Sequence, residues 1–332
     1  MKALVYKQVG KVELQQRPMP RTVAPTDAVV RLTKTTICGT DLHIRKGDVA
    51  TCAPGRILGH EGVGIVENVG PSVTRFKNGD SVLISCISSC ASCEYCRRGM
   101  SSHCTTGGWI LGNEIDGTQA EYVRIPHADC SLYSIPNGLE ESSLVTLSDI
   151  FPTALECGVI NGKVQPGSTV VIIGAGPVGL AALITSQFYT PAVVIVIDTD
   201  ANRLKVATEI GAHATFNSGE GGIDAVIKAI RDKTDGKGCD TVIEAVGIPE
   251  TFELSQRLLA PGGVLANVGV HGITTRLVDA VTTPMLLKMV EAKKLDPAQL
   301  ITHRFKFEEI VKAYETFGAA QQHRALKVLI EM

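Results

Sequence analysis

No charge of one sign dominates this 332-residue chain: 32 basic residues face 34 acidic ones, a formal charge of −2 at pH 7. That balance supplies no global field to recruit nucleic acid or a membrane surface, and neither is expected as a partner. Long apolar runs are missing too. The most hydrophobic stretch, 170–184, is broken by Gly174, Gly176, Pro177 and Gly179. It falls short of the ~18 or more apolar residues of a bilayer span and reads as a buried core element. Met1 to Tyr6 alternate as a strand does, with no extended apolar stretch before a cleavage site, so a cytoplasmic protein is expected. There is no internal repeat and no low-complexity tract. At roughly 150 residues per domain the length suggests about two domains with their own cores, which excludes one small stapled module.

Cysteine is clustered instead. Ten cysteines in a large chain without a secretory signal point to metal or redox chemistry rather than to a disulfide framework. Cys90, Cys93, Cys96 and Cys104 follow the pattern C-x2-C-x2-C-x7-C in a turn-rich stretch, which lets four thiolates converge on one tetrahedral ion. A site with four protein ligands is closed and therefore structural. Three cysteines at two-residue gaps also open the bacterial ferredoxin run, but the fourth spacing does not match it and no proline follows Cys104. Zinc is the ion expected. Cys52, Cys86, Cys130, Cys157 and Cys239 show no such spacing and read as small buried hydrophobes or partly exposed thiols.

The first ~150 residues hold short Val/Ile runs broken by Gly and Pro, at 28–32, 62–69, 81–84 and 120–125, which reads as a β half. After Pro166-Gly167 the period changes. Strand-like runs at 169–173, 193–197, 214–217, 241–244 and 264–268 alternate with helical segments near 178–188, 201–210, 223–231 and 251–259. Repeated βα units predict an α/β fold with a doubly wound parallel sheet. A helix at 307–319 and a strand at 325–330 close the chain and are expected to return to the first domain.

Gly174-Ala175-Gly176-Pro177-Val178-Gly179 is G-x-G-x-x-G placed between a predicted strand and a predicted helix. The first glycine permits the tight turn, the second lets the backbone approach a pyrophosphate, and the third packs helix on strand with the anion at the helix N-terminus. Asp198, nineteen residues after Gly179, is positioned to accept the adenosine ribose hydroxyls and to repel a 2′-phosphate, which favours NAD over NADP. Its alternative role is to cap the next helix. Arg203 lies either over the adenine or on a solvated helix face.

Two further segments, Cys38-Gly39-Thr40-Asp41-Leu42-His43 and Gly59-His60-Glu61-Gly62 running on to Gly70 and Val73, stand in the β half. With the four-cysteine lobe and the dinucleotide turn, in that order, the chain resembles the zinc-dependent medium-chain alcohol dehydrogenases over nearly its whole length. The resemblance implies a mostly β GroES-like catalytic domain at 1–150 carrying the structural-zinc lobe near 86–108. It implies a Rossmann NAD-binding domain at 151–296, and a segment at 297–332 that returns to the catalytic domain. It also implies two zinc ions per chain and NAD. Cys38, His60 and Asp149 match the catalytic zinc ligands, three protein donors leaving a fourth position open. Glu61 matches a carboxylate that enters or leaves the metal shell, or else orients a ligand.

Zinc there would act as a Lewis acid on an alcohol oxygen, so that the proton leaves near neutral pH and hydride passes to nicotinamide. Thr40 and His43 match the proton relay; the plainer roles are a turn residue and a surface imidazole. Thr153, Val246, Gly247, Gly269 and Val270 match the surroundings of the nicotinamide ring, and Lys327 a basic residue near the pyrophosphate or a solvated lysine. Trp109, the one tryptophan, matches an aromatic pocket wall or fills the core, and Ile150 and Leu295 would add apolar surface. An apolar wall suits small aliphatic or aromatic alcohols, with aldehydes or ketones as products. Polyol and threonine dehydrogenases share the scaffold, and a non-catalytic dinucleotide-binding relative is the reading from another class. Similar enzymes are homodimers or homotetramers. One departure stands out: after Gly269-Val270-His271-Gly272 the chain goes directly to Ile273-Thr274-Thr275-Arg276, where such enzymes carry a longer segment supporting the sheet edge and the subunit contact.

Overall fold

The strand Ala28–Ile37 organises the first half of the chain. Along one edge it pairs antiparallel with Gly62–Val69. The other edge is shared between Tyr122–Ile125, opposite residues 28–31, and Lys327–Glu331, opposite residues 34–37. These strands belong to a seven-stranded sheet completed by Ser81–Ile84, Leu132–Ser134 and Ile301–Lys306. Alternate residues of such strands face a core, and here Ala28, Val30, Leu32, Val66, Val82 and Ile84 cluster on one side. The register also delivers two charged side chains to one place. Thr35 lies opposite Gly62, and Val328 opposite Ile37, so Glu61 and Lys327 arrive at the Cys38 end of the central strand.

This is a computed structural model, and it describes residues 1–270 and 278–332. The shortened stretch from Ile273 to Arg276 lies outside the described residues. By its contacts the chain forms two units, Met1–Asp149 with Val278–Met332, and Ile150–Leu277. Residues 278–296, expected with the Rossmann half, thus cluster with the first unit. The reason is local bonding: Ser102 donates to Asp279 through its N–H and its hydroxyl (2.8 and 2.7 Å), and the Tyr133 hydroxyl donates to the Ala280 carbonyl at 2.7 Å.

In the second unit five strands lie parallel in the order Ala214–Asn217, Val193–Asp198, Thr169–Ile173, Cys239–Glu244, Leu259–Asn267. Sequence order 3-2-1-4-5 is that of a Rossmann sheet. Val170, Val171 and Ile172 are fully buried, as expected of strands covered on both faces. Each contributes about 1.5–3 kcal/mol relative to an exposed side chain. The last strand starts five residues earlier than the apolar run at 264–268 predicts, because Leu259 pairs with Cys239 ahead of the Pro261-Gly262 turn signal. Ala154–Ile160 winds as a π-helix directly after Thr153, a feature the sequence did not announce. Among the described residues no single helix is long and apolar enough to cross a membrane.

Candidate metal centre and dinucleotide turn

Cys38 follows the central strand and caps the helix Gly39–Lys46, with φ −99° and ψ 159°. Asp41, in the first turn of that helix, accepts the Cys38 N–H at 2.8 Å. His60 precedes the strand Gly62–Val69, and Asp149 follows the 3₁₀ turn Val145–Ser148. These three distant segments bring Cys38 Sγ, a His60 ring nitrogen and an Asp149 oxygen within 4.8 Å of one another. Asp149 Oδ2 stands 3.4 Å from His60 Nε2 and 3.8 Å from Cys38 Sγ. Ordinary zinc bond lengths in a tetrahedron separate N from O by about 3.4 Å and S from O by about 3.6 Å, so this donor set fits zinc and leaves one position open. Burial opposes an imidazolium at His60, yet hydrogen bonds to Asp149 and Cys38 outweigh it and hold the group well above the ordinary histidine value.

The supporting residues are buried polar groups. Asp41 Oδ2 also accepts from Gln119 Nε2 (3.1 Å), and Gln119 Oε1 accepts the Tyr314 hydroxyl proton (2.8 Å). Burial lifts the Asp41 carboxyl above its usual range, with the His60 charge pulling the other way. Among the described residues, buried Asp41 Oδ1 and His60 Nδ1 have no hydrogen-bond partner. Glu61 is not among the converging donors. It accepts from the Thr36 hydroxyl and from Lys327 Nζ, so the expected metal carboxylate is held by these two partners instead. Lys327 is correspondingly neither solvated nor unpaired: its side chain is 1% exposed and its ammonium lies on Glu61. Burial works against that charge, but Glu61 and Cys38 outweigh it and raise the lysine.

Thr40 Oγ1 lies 3.7 Å from Cys38 Sγ, and His43, one turn further along the helix, is exposed with Nδ1 2.9 Å from Asp48. Trp109 meets His60 edge-on, ring centroids 6.0 Å apart and planes at 80°. Ile150 and Leu295, expected as pocket surface, are core residues at 2% and 4% exposure. Cys86 gave no signal in the sequence, yet its thiol reaches Asp149 Oδ1 at 3.6 Å.

The lobe holds its four sulfurs within 4.8 Å of one another, and none of the ten cysteines is joined in a disulfide. Amide hydrogens converge on these sulfurs, from Cys90 to Cys104, from Cys93 to Cys90 and from Cys96 to Cys93. Burial opposes the Cys90 thiolate, but donors from Ser92 and Cys93 prevail and bring it down to about 5. Burial and its neighbouring thiols push Cys96 up to about 12. Four crowded thiols of which one ionises readily and another resists suit a dication that relieves the repulsion.

In the second unit Gly174 takes φ +101°, and a Cβ on Gly179 would run into the Gly174 carbonyl oxygen. The turn therefore needs glycine at both ends. Pro177 and Val178 open the helix Pro177–Ser186, with Gly176 at its cap. Asp198 accepts the Ala175 N–H at 2.6 Å, which ties its carboxylate to the turn, while Asp200 caps the next helix. Arg203 is half-buried, 3.8 Å from Asp200, and its Nη1 would lie 4.0 Å from a Cβ on Gly176, so it leans over the turn. Val246 and Val270 are exposed at 45% and 48%, beside the C-terminal ends of their strands, and Gly247 and buried Gly269 pack so closely that a Cβ on Gly269 would meet the Gly247 backbone. Thr153 is half-buried at the start of the π-helix.

Residues 24–137 match the alcohol dehydrogenase GroES-like domain family, and residues 177–296 the zinc-binding dehydrogenase family. An alcohol dehydrogenase of Cupriavidus necator is 35% identical over all of this chain and 98% of its own length. The chain belongs to the zinc-dependent medium-chain alcohol dehydrogenase family. Among solved structures, zinc dependent alcohol dehydrogenase 2 from Streptococcus pneumonia is 51% identical at a TM-score of 0.95, covering 100% of this chain and 98% of that one. Alcohol dehydrogenase TADH from Thermus sp. ATN1 is 32% identical at 0.90, covering 100% and 99%. The fold is that of this family, a GroES-like part and a Rossmann part, and the protein is an oxidoreductase of the alcohol dehydrogenase family.

Proposed function

We propose that this enzyme interconverts small primary or secondary alcohols with aldehydes or ketones, using NAD and a catalytic zinc held by Cys38, His60 and Asp149. The observation that carries the reading is the spacing of those three donors, which suits a tetrahedral ion with one open position. A zinc ion bound there would supply Lewis acidity toward an alcohol oxygen, and NAD would supply the hydride acceptor. A second zinc in the Cys90, Cys93, Cys96 and Cys104 lobe would be structural.

Thr40, beside Cys38, is the group that would take the alcohol proton, and exposed His43, steadied by Asp48, is the group that would release one to water. The reaction balances as alcohol plus NAD⁺ giving carbonyl, NADH and one proton. Trp109 forms an apolar wall next to His60. Gly174, Gly176 and Gly179 admit the pyrophosphate, with Arg203 adding positive charge at the turn. Asp198 would select NAD by accepting ribose hydroxyls with the lone pairs its backbone contacts leave free. Thr153, Val246, Gly269 and Val270 would border the nicotinamide, while Lys327 serves Glu61 rather than a phosphate. The assembly is a homodimer or homotetramer in the cytoplasm.

One feature favours a second substrate class. Among the described residues, buried Trp109 Nε1 has no hydrogen-bond partner. A second oxygen on a polyol would satisfy it.

NADH formation from a panel of short alcohols, benzyl alcohol, threonine and sorbitol, before and after chelation, tests the proposal. Chelator-sensitive turnover of simple alcohols is expected, with two zinc ions per chain by elemental analysis. Asp198→Ala should narrow the preference for NAD over NADP at least tenfold. A folded protein holding both zincs that turns over sorbitol but no simple alcohol would move the assignment to polyols, and one that turns over nothing on the panel would overturn it.

A further inference from the structure

We infer that Cys86 is a positioning residue of the metal centre: its thiol turns the Asp149 carboxylate so that Oδ2 faces Cys38 and His60. The inference rests on the reading of Cys38, His60 and Asp149 as ligands of one ion.

Cys86 stands two residues beyond the strand Ser81–Ile84 and is 2% exposed. It grips the end of the 3₁₀ turn at two points. Its N–H donates to the Ser148 carbonyl at 3.1 Å, and its S–H donates to Asp149 Oδ1 at 3.6 Å. Asp149 needs such a grip, because its backbone, at φ −145° and ψ −59°, has left the helical conformation of the turn. The two carboxylate oxygens are thereby divided. Oδ2 looks toward His60 Nε2 at 3.4 Å and Cys38 Sγ at 3.8 Å, while Oδ1 lies against Cys86.

Ser148 is held by a second contact as well. Its Oγ accepts the Gly62 N–H at 3.2 Å, two residues after His60. Ser148-Asp149 is thus held both by Cys86 and by Gly62, the latter on the segment that carries His60. Cys86 itself is not among the three residues whose donor atoms converge, so it orients a ligand and leaves the fourth position open. Donors of this kind fix the direction of a metal-binding carboxylate, and their loss typically weakens metal affinity about 10–100-fold.

The test uses the full chain as wild type, Cys86→Ala and Cys86→Ser, with zinc affinity read by competition against a chromogenic chelator. Cobalt(II) exchanged for the more labile ion reports ligand geometry, and the ion in the four-cysteine lobe is the internal control. In Cys86→Ala the labile ion should bind about 10–100-fold more weakly with an altered cobalt d–d envelope, while the lobe ion is unchanged. Cys86→Ser, which keeps a donor, should recover most of the loss. An unchanged affinity and spectrum in Cys86→Ala overturns the inference. Loss of thiolate-to-cobalt charge-transfer intensity overturns it too, since that would make Cys86 a ligand. If the alanine variant also sheds the lobe ion, Cys86→Val, which fills the space without a donor, is judged by the same two results. A wild-type protein binding no ion outside the lobe overturns the ligand reading itself, a separate result.

Discussion

Lys327 and Glu61, 266 positions apart, meet as a buried ion pair with Nζ 2.5 Å from Oε2 and both side chains 1% exposed. Neither segment contains the reason. Strand register does: Val328 pairs with Ile37 and Gly62 with Thr35, so both residues are delivered to the strand end occupied by Cys38. A carboxylate taken out of water is tolerated only when paired and hydrogen-bonded, and Lys327 with the Thr36 hydroxyl supplies both.

Lys327→Met should therefore lower the unfolding free energy by about 3–5 kcal/mol, since it leaves a buried carboxylate without its counter-charge. Adding Glu61→Gln should return a large part of that loss. Urea titration of the single and double variants checks both statements; equal stability of Lys327→Met and wild type would contradict them.

Tyr314→Phe removes the donor to Gln119 Oε1 in a position fully closed to water. An unsatisfied buried acceptor costs about 1–3 kcal/mol. Gln119 also holds Asp41, so the Cys38 turn should loosen with it. Amide exchange of Cys38 and Asp41, measured beside the melting temperature, should rise in the variant; exchange confined to the helix around Tyr314 would speak against transmission through Gln119.

Gly179→Ala drives a methyl group into the Gly174 carbonyl oxygen. Backbone cannot yield there as a flexible side chain would, so the loss should reach the ~3 kcal/mol upper range of overpacking. NADH binding by fluorescence titration should fall with it. Gly167→Ala offers the contrast: φ is +83° and none of the described residues lies within 4 Å of the added carbon, so it bears backbone strain but no such clash.

Asp129, in the short helix Ala128–Ser131, ties that helix to the Thr74-Arg75 segment by accepting from the Thr74 N–H and hydroxyl and from the Arg75 N–H. Partial burial opposes its charge, but the Thr74 hydroxyl and the backbone donors outweigh it and hold the carboxyl below its ordinary 3.8. A folded value below the unfolded one means full stabilisation above the unfolded value, lost as pH falls through the folded one. Asp129→Asn should be less stable than wild type at neutral pH and converge with it in strong acid. Parallel stability curves across that range would refute the assignment.

Features built from neighbours along the chain were legible in the sequence. The glycine turn is six consecutive residues, and the lobe cysteines lie close enough for spacing alone to make them converge. The βα alternation follows from runs of Val and Ile set between helical periods. Placement of the polar groups around Cys38 was not legible. Cys86 looked like any buried thiol, and Gln119 and Tyr314 carry no pattern, because their partners come from other strands and helices. Lys327 and Glu61 could be noticed singly, but not as a pair. Local spacing thus determined which chemistry the chain can hold, since turns and ligand intervals are properties of short segments. Tertiary structure decided which oxygen, thiol or ammonium meets which partner, since a register shift of one residue turns a side chain to the other face of the sheet.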